Sequence, residues 1–158
     1  SVDLCVIIRP RGGDFVYTDL EVEAMLTDIR TAKEIGVSSF VLGALTSDRK
    51  LDQRVMQLLL AACGEAEVVF HMAFDELAHT DQLEAIEWLS IHGVARILTR
   101  AGGLGATLEQ RFEHYHRLLA AAKGKIQILP GGGVTVENRS LFLEQLGICQ
   151  LHGTRIVF

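Results

Sequence analysis

Short apolar runs recur along the chain at 4–8 (LCVII), 40–42 (FVL), 68–70 (VVF), 96–98 (RIL), 126–129 (IQIL) and 149–151 (CQL). Their starts step by 36, 28, 28, 30 and 23 residues. Runs rich in Val, Ile and Leu without polar alternation predict parallel strands in a sheet covered on both faces. The stretches between them are amphipathic. Val22, Met25, Leu26 and Ile29 share one helical face, as do Leu108, Phe112, Tyr115, Leu119 and Ala122.

Start and stop signals sharpen these helices. Thr18-x-x-Glu21 and Thr107-x-x-Gln110 have capping-box spacing, which satisfies orphan N–H groups at a helix start. Thr80 or Asp81, and Thr135, hold the equivalent place in two other units. Gly36, Gly64, Gly93, Gly124 and Gly147 close the five helical segments, where the chain turns left-handed. Six strands strictly alternating with five helices predict an α/β fold with a parallel sheet, in one domain spanning 1–158.

A doubly wound sheet and a (β/α)8 TIM-type barrel both satisfy that order. The repeat matches the roughly 30 residues of a barrel unit, and no Gly-x-Gly-x-x-Gly follows the first strand. The pattern therefore favours an incomplete barrel, since six units fall short of eight. No nucleotide cofactor is expected.

Composition narrows the function classes. With 158 residues and a net charge of −5, the chain lacks the positive field of a nucleic-acid groove. Cys5, Cys63 and Cys149 form neither a disulfide framework nor a paired zinc motif. No basic n-region and apolar h-region opens the sequence, and no apolar run approaches the ~20 residues that span a bilayer. The expectation is a cytoplasmic chain with no membrane and no nucleic-acid partner.

The candidate chemistry lies in one set of connections. Helix-to-strand links are short and plain, whereas the strand-to-helix links read RPRGGDFVYTD (9–19), GALTSDRKLDQ (43–53), HMAFDELAHTD (71–81), TRAGGLGAT (99–107) and PGGGVTVEN (130–138), followed by HGTR (152–155). Parallel sheets place their sites at the carboxyl ends of strands. Arg9 and Arg11 offer bidentate donors to a carboxylate or phosphate, or one of them seals the mouth by pairing with an acid such as Asp14. Gly131, Gly132 and Gly133 let backbone N–H groups approach an anion, with Thr154 on the adjoining wall; the alternative is a tight turn without a ligand. His71 and Asp75 flank one loop as a candidate acid–base pair, or as ordinary structural hydrogen-bonding groups. His114 and His116 point to different faces of a helix, towards solvent. Cys5, His71 and His152 are soft candidates for a metal such as Cu(I), although Cys5 falls roughly 13 Å below Arg9 at the ~3.3 Å rise of a strand, deep in a packed barrel.

The strand-end motifs IIRPRGGDFVYTD (7–19), LGALT (42–46), VVFHMAFD (68–75), RILTRAG (96–102), LPGGGVTVEN (129–138) and LHGTRIV (151–157) resemble, in order and spacing, the copper homeostasis protein CutC family. The resemblance implies a TIM-type barrel in which these six strands are strands 3 to 8, the first two units and a C-terminal segment having no counterpart here. It implies copper as the ligand, and a homodimer or higher oligomer. One position departs: where the family usually reads His-Arg-Ala-Phe-Asp, Met72 replaces the arginine and removes a cation. Two functions follow. One is a copper-handling protein without turnover. The other is a barrel enzyme or binder for a small phosphorylated or carboxylated compound, with His71 as acid–base and Arg9, Arg11 and Gly131–Gly133 holding the anion.

Overall fold

The computed structural model describes residues 3–157. It contains β1 (Val6–Ile7), α1 (Asp19–Glu34), β2 (Ser39–Leu42), α2 (Gln53–Cys63), β3 (Glu67–Phe70), a 3-10 turn (Met72–Glu76), α3 (His79–Ile91), β4 (Arg96–Thr99), α4 (Leu108–Ala122), β5 (Gln127–Pro130) and α5 (Arg139–Leu146). All strand pairs are parallel and the spatial order is the sequence order, β1-β2-β3-β4-β5. A doubly wound sheet reverses its order at a switch point. This one does not, so it has the progression of a barrel wall.

The two faces of the sheet differ. Phe40, Leu42, Val68, Phe70, Ile97 and Ile128 pack with the helices in one large core. Residues of opposite parity, Val69, Leu98 and Leu129, form a small separate cluster with Val41 and Met72 against it. One face is thus sealed by helices and the other is a concave apolar surface, on which Ile7 is still 59 % exposed. No helix among the described residues is long and apolar enough to cross a membrane.

Local signals account for most helix ends. Both capping boxes form, at Thr18 with Glu21 and at Thr107 with Gln110. The five terminal glycines all have positive φ, from 62° to 91°, a region that costs a residue with a Cβ roughly 1 kcal/mol or more. The caps expected at Thr80 or Asp81 and at Thr135 do not form. Helix α3 begins one turn earlier, behind an uncapped Ala78, and α5 begins behind Asn138. Asn138 instead ties down the preceding loop, accepting from Thr135 N–H (2.8 Å) and donating to the Gly133 carbonyl (2.9 Å).

Two further expectations need correction. The sixth strand, at 149–151, is not a strand: Cys149 and Gln150 stay exposed, and the segment's first backbone bond to β5 is His152 N–H to the Pro130 carbonyl, 2.9 Å. Without buried side chains or a continuous ladder, those three residues do not hold strand geometry. On α4, Tyr115 and Ala122 are buried as expected and Phe112 and Leu119 pack partly buried against the core, but the buried face also takes in Arg111 and Leu118 and leaves out Leu108, which is 42 % exposed. A charged residue takes the core-facing position because carbonyls there receive its protons.

Candidate functional site at the strand ends

A cavity of about 810 Å³ runs along the concave face, from Cys5 and Arg96 near the strand starts to Arg9, Phe15, His71, Met72 and His152 beyond the carboxyl ends. A smaller one, about 220 Å³, adjoins it beneath Gly132, Gly133, Thr154 and Arg155, and shares Met72 and His152 with the first.

His71 is the most constrained group in the larger cavity. It ends β3, caps the 3-10 turn by accepting the Ala73 N–H on Nδ1 (3.2 Å), and is only 5 % exposed. Its ring sits 4.8 Å from Phe15 and 5.9 Å from Phe70. Gly43 makes this possible, since a Cβ there would lie 2.8 Å from His71 Cε1. Burial, reinforced by the charge of Arg9, pushes the imidazole down to about 4. The ring is therefore neutral near pH 7, and because Nδ1 accepts a hydrogen bond, the proton is on Nε2. That Nε2 is buried and, among the described residues, has no hydrogen-bond partner.

The proposed partner of His71 is engaged elsewhere. Asp75 accepts from the Thr99 hydroxyl on Oδ1 and from the Arg100 N–H on Oδ2 (2.9 Å). Burial raises its carboxyl above the ordinary range, against the pull of those bonds. The two side chains of the candidate acid–base pair thus serve different loops. His71 caps its own turn, and Asp75 fixes the loop after β4.

The two arginines also separate. Arg11 is consumed by structure: it pairs with Glu21 (2.5 Å) and Asp14 (3.0 Å) and donates to the carbonyls of Gly12, Asp14 and Val16. The Glu21 and Asp14 bonds raise its pKa. Arg11 is therefore corrected from an anion-binding to a sealing residue. Arg9 keeps a freer guanidinium, donating to the Gly13 carbonyl (2.6 Å) and lying 4.6 Å over the Phe15 ring. Within the glycine run, Gly132, Gly133 and Thr154 share the smaller cavity, while Gly131 is packed against Leu98, Met72 and His152.

The soft donors do not assemble. Among the described residues no group of three or more His, Cys, Asp or Glu side chains is placed to hold a metal ion. Cys5 is exposed, 3.0 Å from the Ser39 hydroxyl, and not deep in a packed barrel, because the concave face beside it is open. Cys63 is buried in α2 and burial pushes its thiol up to about 11. His71 offers a proton on Nε2 and not a lone pair. His114, expected in solvent, is half-buried between helices, bonded to Gln82 Oε1 (2.8 Å) and 5.3 Å from the His79 ring.

Several contributors had weak or no sequence signal. Gly43 and Arg100 each stand just beyond a strand, the one hint of a role at the mouth. Arg111 carries no such hint, yet it donates to the carbonyls of Arg100 (2.8 Å) and Gly131 (2.9 Å) and joins the loops after β4 and β5.

Comparison with known proteins agrees with this architecture. A crystal structure of the protein named CutC from Streptococcus agalactiae superposes with a TM-score of 0.94 at 40 % identity, covering 99 % of this chain and 74 % of that one. An aldolase, QR15, shares the fold alone, with a TM-score of 0.72 at 15 % identity over 97 % of this chain and 68 % of that one. A family protein CutC of Enterococcus faecalis is 43 % identical over 157 residues, which is 99 % of this chain and 75 % of that protein. The human copper homeostasis protein cutC homolog is 41 % identical over 152 residues, 96 % of this chain and 54 % of that protein. The CutC family model itself matches residues 1–157, and a match of that extent, on a barrel wall that carries the family's strand-end motifs, means that the chain belongs to the CutC family.

Proposed function

We propose that the chain acts in copper homeostasis, as its human relative is named, by binding a small carboxylated or phosphorylated organic molecule at the strand ends. The observation that carries this reading is His71, which lines the 810 Å³ cavity and whose Nε2–H is buried and, among the described residues, without a partner. A buried polar group left unpaired costs about 1–3 kcal/mol, and a turn of the ring that brings Nε2–H to a ligand oxygen in the cavity removes that cost. Phe15, Val69, Met72 and Leu98 supply apolar walls for the ligand's body, and Arg9 supplies a cation at the rim. A histidine titrating near 4 is a poor base at neutral pH, so His71 acts as a hydrogen-bond donor and not as a proton shuttle.

The test is an NMR titration of 15N-histidine-labelled protein with a panel of carboxylates and phosphate monoesters. A member that binds saturably and shifts the His71 Nε2–H resonance, and that no longer binds His71→Gln, supports the reading. If none moves that resonance, it fails.

A second reading is Cu(I) binding, favoured by soft side chains (Cys5, Met72, Cys149 and His152) lining that same cavity. It predicts stoichiometric Cu(I) uptake that the double variant Cys5→Ser/Cys149→Ser loses. Retention of copper by that variant refutes it.

A further inference from the structure

We infer that the anionic end of the ligand is a phosphoryl group, received by Arg100 and the Gly132–Gly133 turn; this rests on the organic-anion reading above and assigns that ligand its chemical class. Arg100 is held unusually firmly for a residue just past a strand. Its N–H is bound by the half-buried Asp75 carboxylate and its carbonyl by the buried Arg111. Two charged side chains of opposite sign therefore fix the backbone of one arginine. Its own guanidinium makes no hydrogen bond or ion pair among the described residues, and it lies flat against Gly132: a Cβ there would come within 2.6 Å of Arg100 Nε. Arg111 binds the Gly131 carbonyl as well, so the arginine and the glycine turn are set by the same clamp.

The turn supplies donors and no competing acceptor side chain. Gly132 and Gly133 have positive φ (69° and 83°), and among the described residues their N–H groups have no hydrogen-bond partner. Gly132, Gly133, Thr154 and Arg155 line the smaller cavity, whose wall contains no Asp or Glu, and the Arg100 side chain covers Gly132 from outside that wall. Consecutive free amides beside guanidinium groups form a concavity suited to an anion. Three terminal oxygens of a phosphoryl group use more of these donors than the two of a carboxylate. His71 lines the larger cavity, which shares Met72 and His152 with the smaller one. The ligand class is then a phosphate monoester whose organic part extends from the turn into the apolar cavity.

The experiment is a titration with inorganic phosphate, with sodium acetate as comparison, following the Gly132 and Gly133 amides and the Arg100 Nε–H by 1H–15N NMR. Saturable shifts at these three groups with phosphate, at least tenfold weaker with acetate, are expected, and Arg100→Met should weaken phosphate binding at least tenfold. The wild-type shifts keep the test valid should that variant not fold. Unmoved turn amides, or equal response to acetate, overturn the phosphoryl assignment. Phosphate binding that Arg100→Met leaves intact overturns the role of Arg100. If panel compounds shift His71 while phosphate leaves the turn unmoved, only the phosphoryl assignment falls. If phosphate binds the turn but no compound reaches His71, the turn site stands and the wider ligand reading falls.

Discussion

A neutral, buried histidine has a consequence for stability. His71 titrates at about 4 in the folded chain, against an ordinary value of 6.5, so the unfolded chain takes up the proton first. Its contribution is complete above pH 6.5 and is lost as pH falls towards 4, an effect on the order of 3 kcal/mol. Urea unfolding between pH 7 and 4 should show this slope, and His71→Gln should flatten it. The comparison isolates His71 from Asp75, whose raised carboxyl pKa works with the opposite sign. Gly43→Ala is expected to destabilise by roughly 1–3 kcal/mol, because its Cβ would strike an imidazole already packed between Phe15 and Phe70. A midpoint equal to wild type would show that the ring can retreat. Conversely, the His71 resonances should shift in this variant even where the remainder of the spectrum does not.

At the scale of elements, helix ends contribute to stability and the strand-end loops carry the candidate chemistry. Removing the hydroxyl of the α4 capping box, Thr107→Ala, should cost about 1 kcal/mol by thermal or chemical denaturation. It should leave phosphate binding unchanged, since Thr107 caps a helix and the turn is held by other bonds. Arg111 belongs to both worlds. It lies on a helix, but its guanidinium is spent on two loop carbonyls, each such charged bond being worth roughly 1.5–3 kcal/mol. Arg111→Met should therefore lower stability by a few kcal/mol, on the order of 3, and broaden the amide resonances of the loops after β4 and β5. Unchanged loop resonances would mean that Asp75 alone suffices to hold them.

At the scale of the molecule, protection should follow position in the sheet. The centre, β3, is paired on both sides, whereas β1 is two residues long and paired on one. Native-state hydrogen exchange should find the Val68–Phe70 amides opening with nearly the global free energy and the Ile7–Ile8 amides opening well below it; equal protection would contradict this. The strand-and-helix alternation, the barrel order and the five glycine stops were all legible in the sequence, because each is set by local periodicity or by one residue's φ. The sequence also put Arg9, His71, Asp75 and the glycine run just beyond the carboxyl ends of the strands, which is where they lie. It could not divide that chemistry. Arg9 and Arg11 look alike in RPR, yet only the folded loop brings Glu21 to Arg11 and leaves Arg9 over Phe15. His71 and Asp75 are four residues apart, yet the 3-10 turn between them sends the carboxylate to Thr99 and Arg100. The run at 149–151 had strand composition but found no continuous ladder. Periodicity and φ act between near neighbours in the chain, so a sequence by itself determines them; the choice of partner for a charge or an orphan N–H depends on which distant segment arrives within 3 Å, and only the tertiary structure decides that.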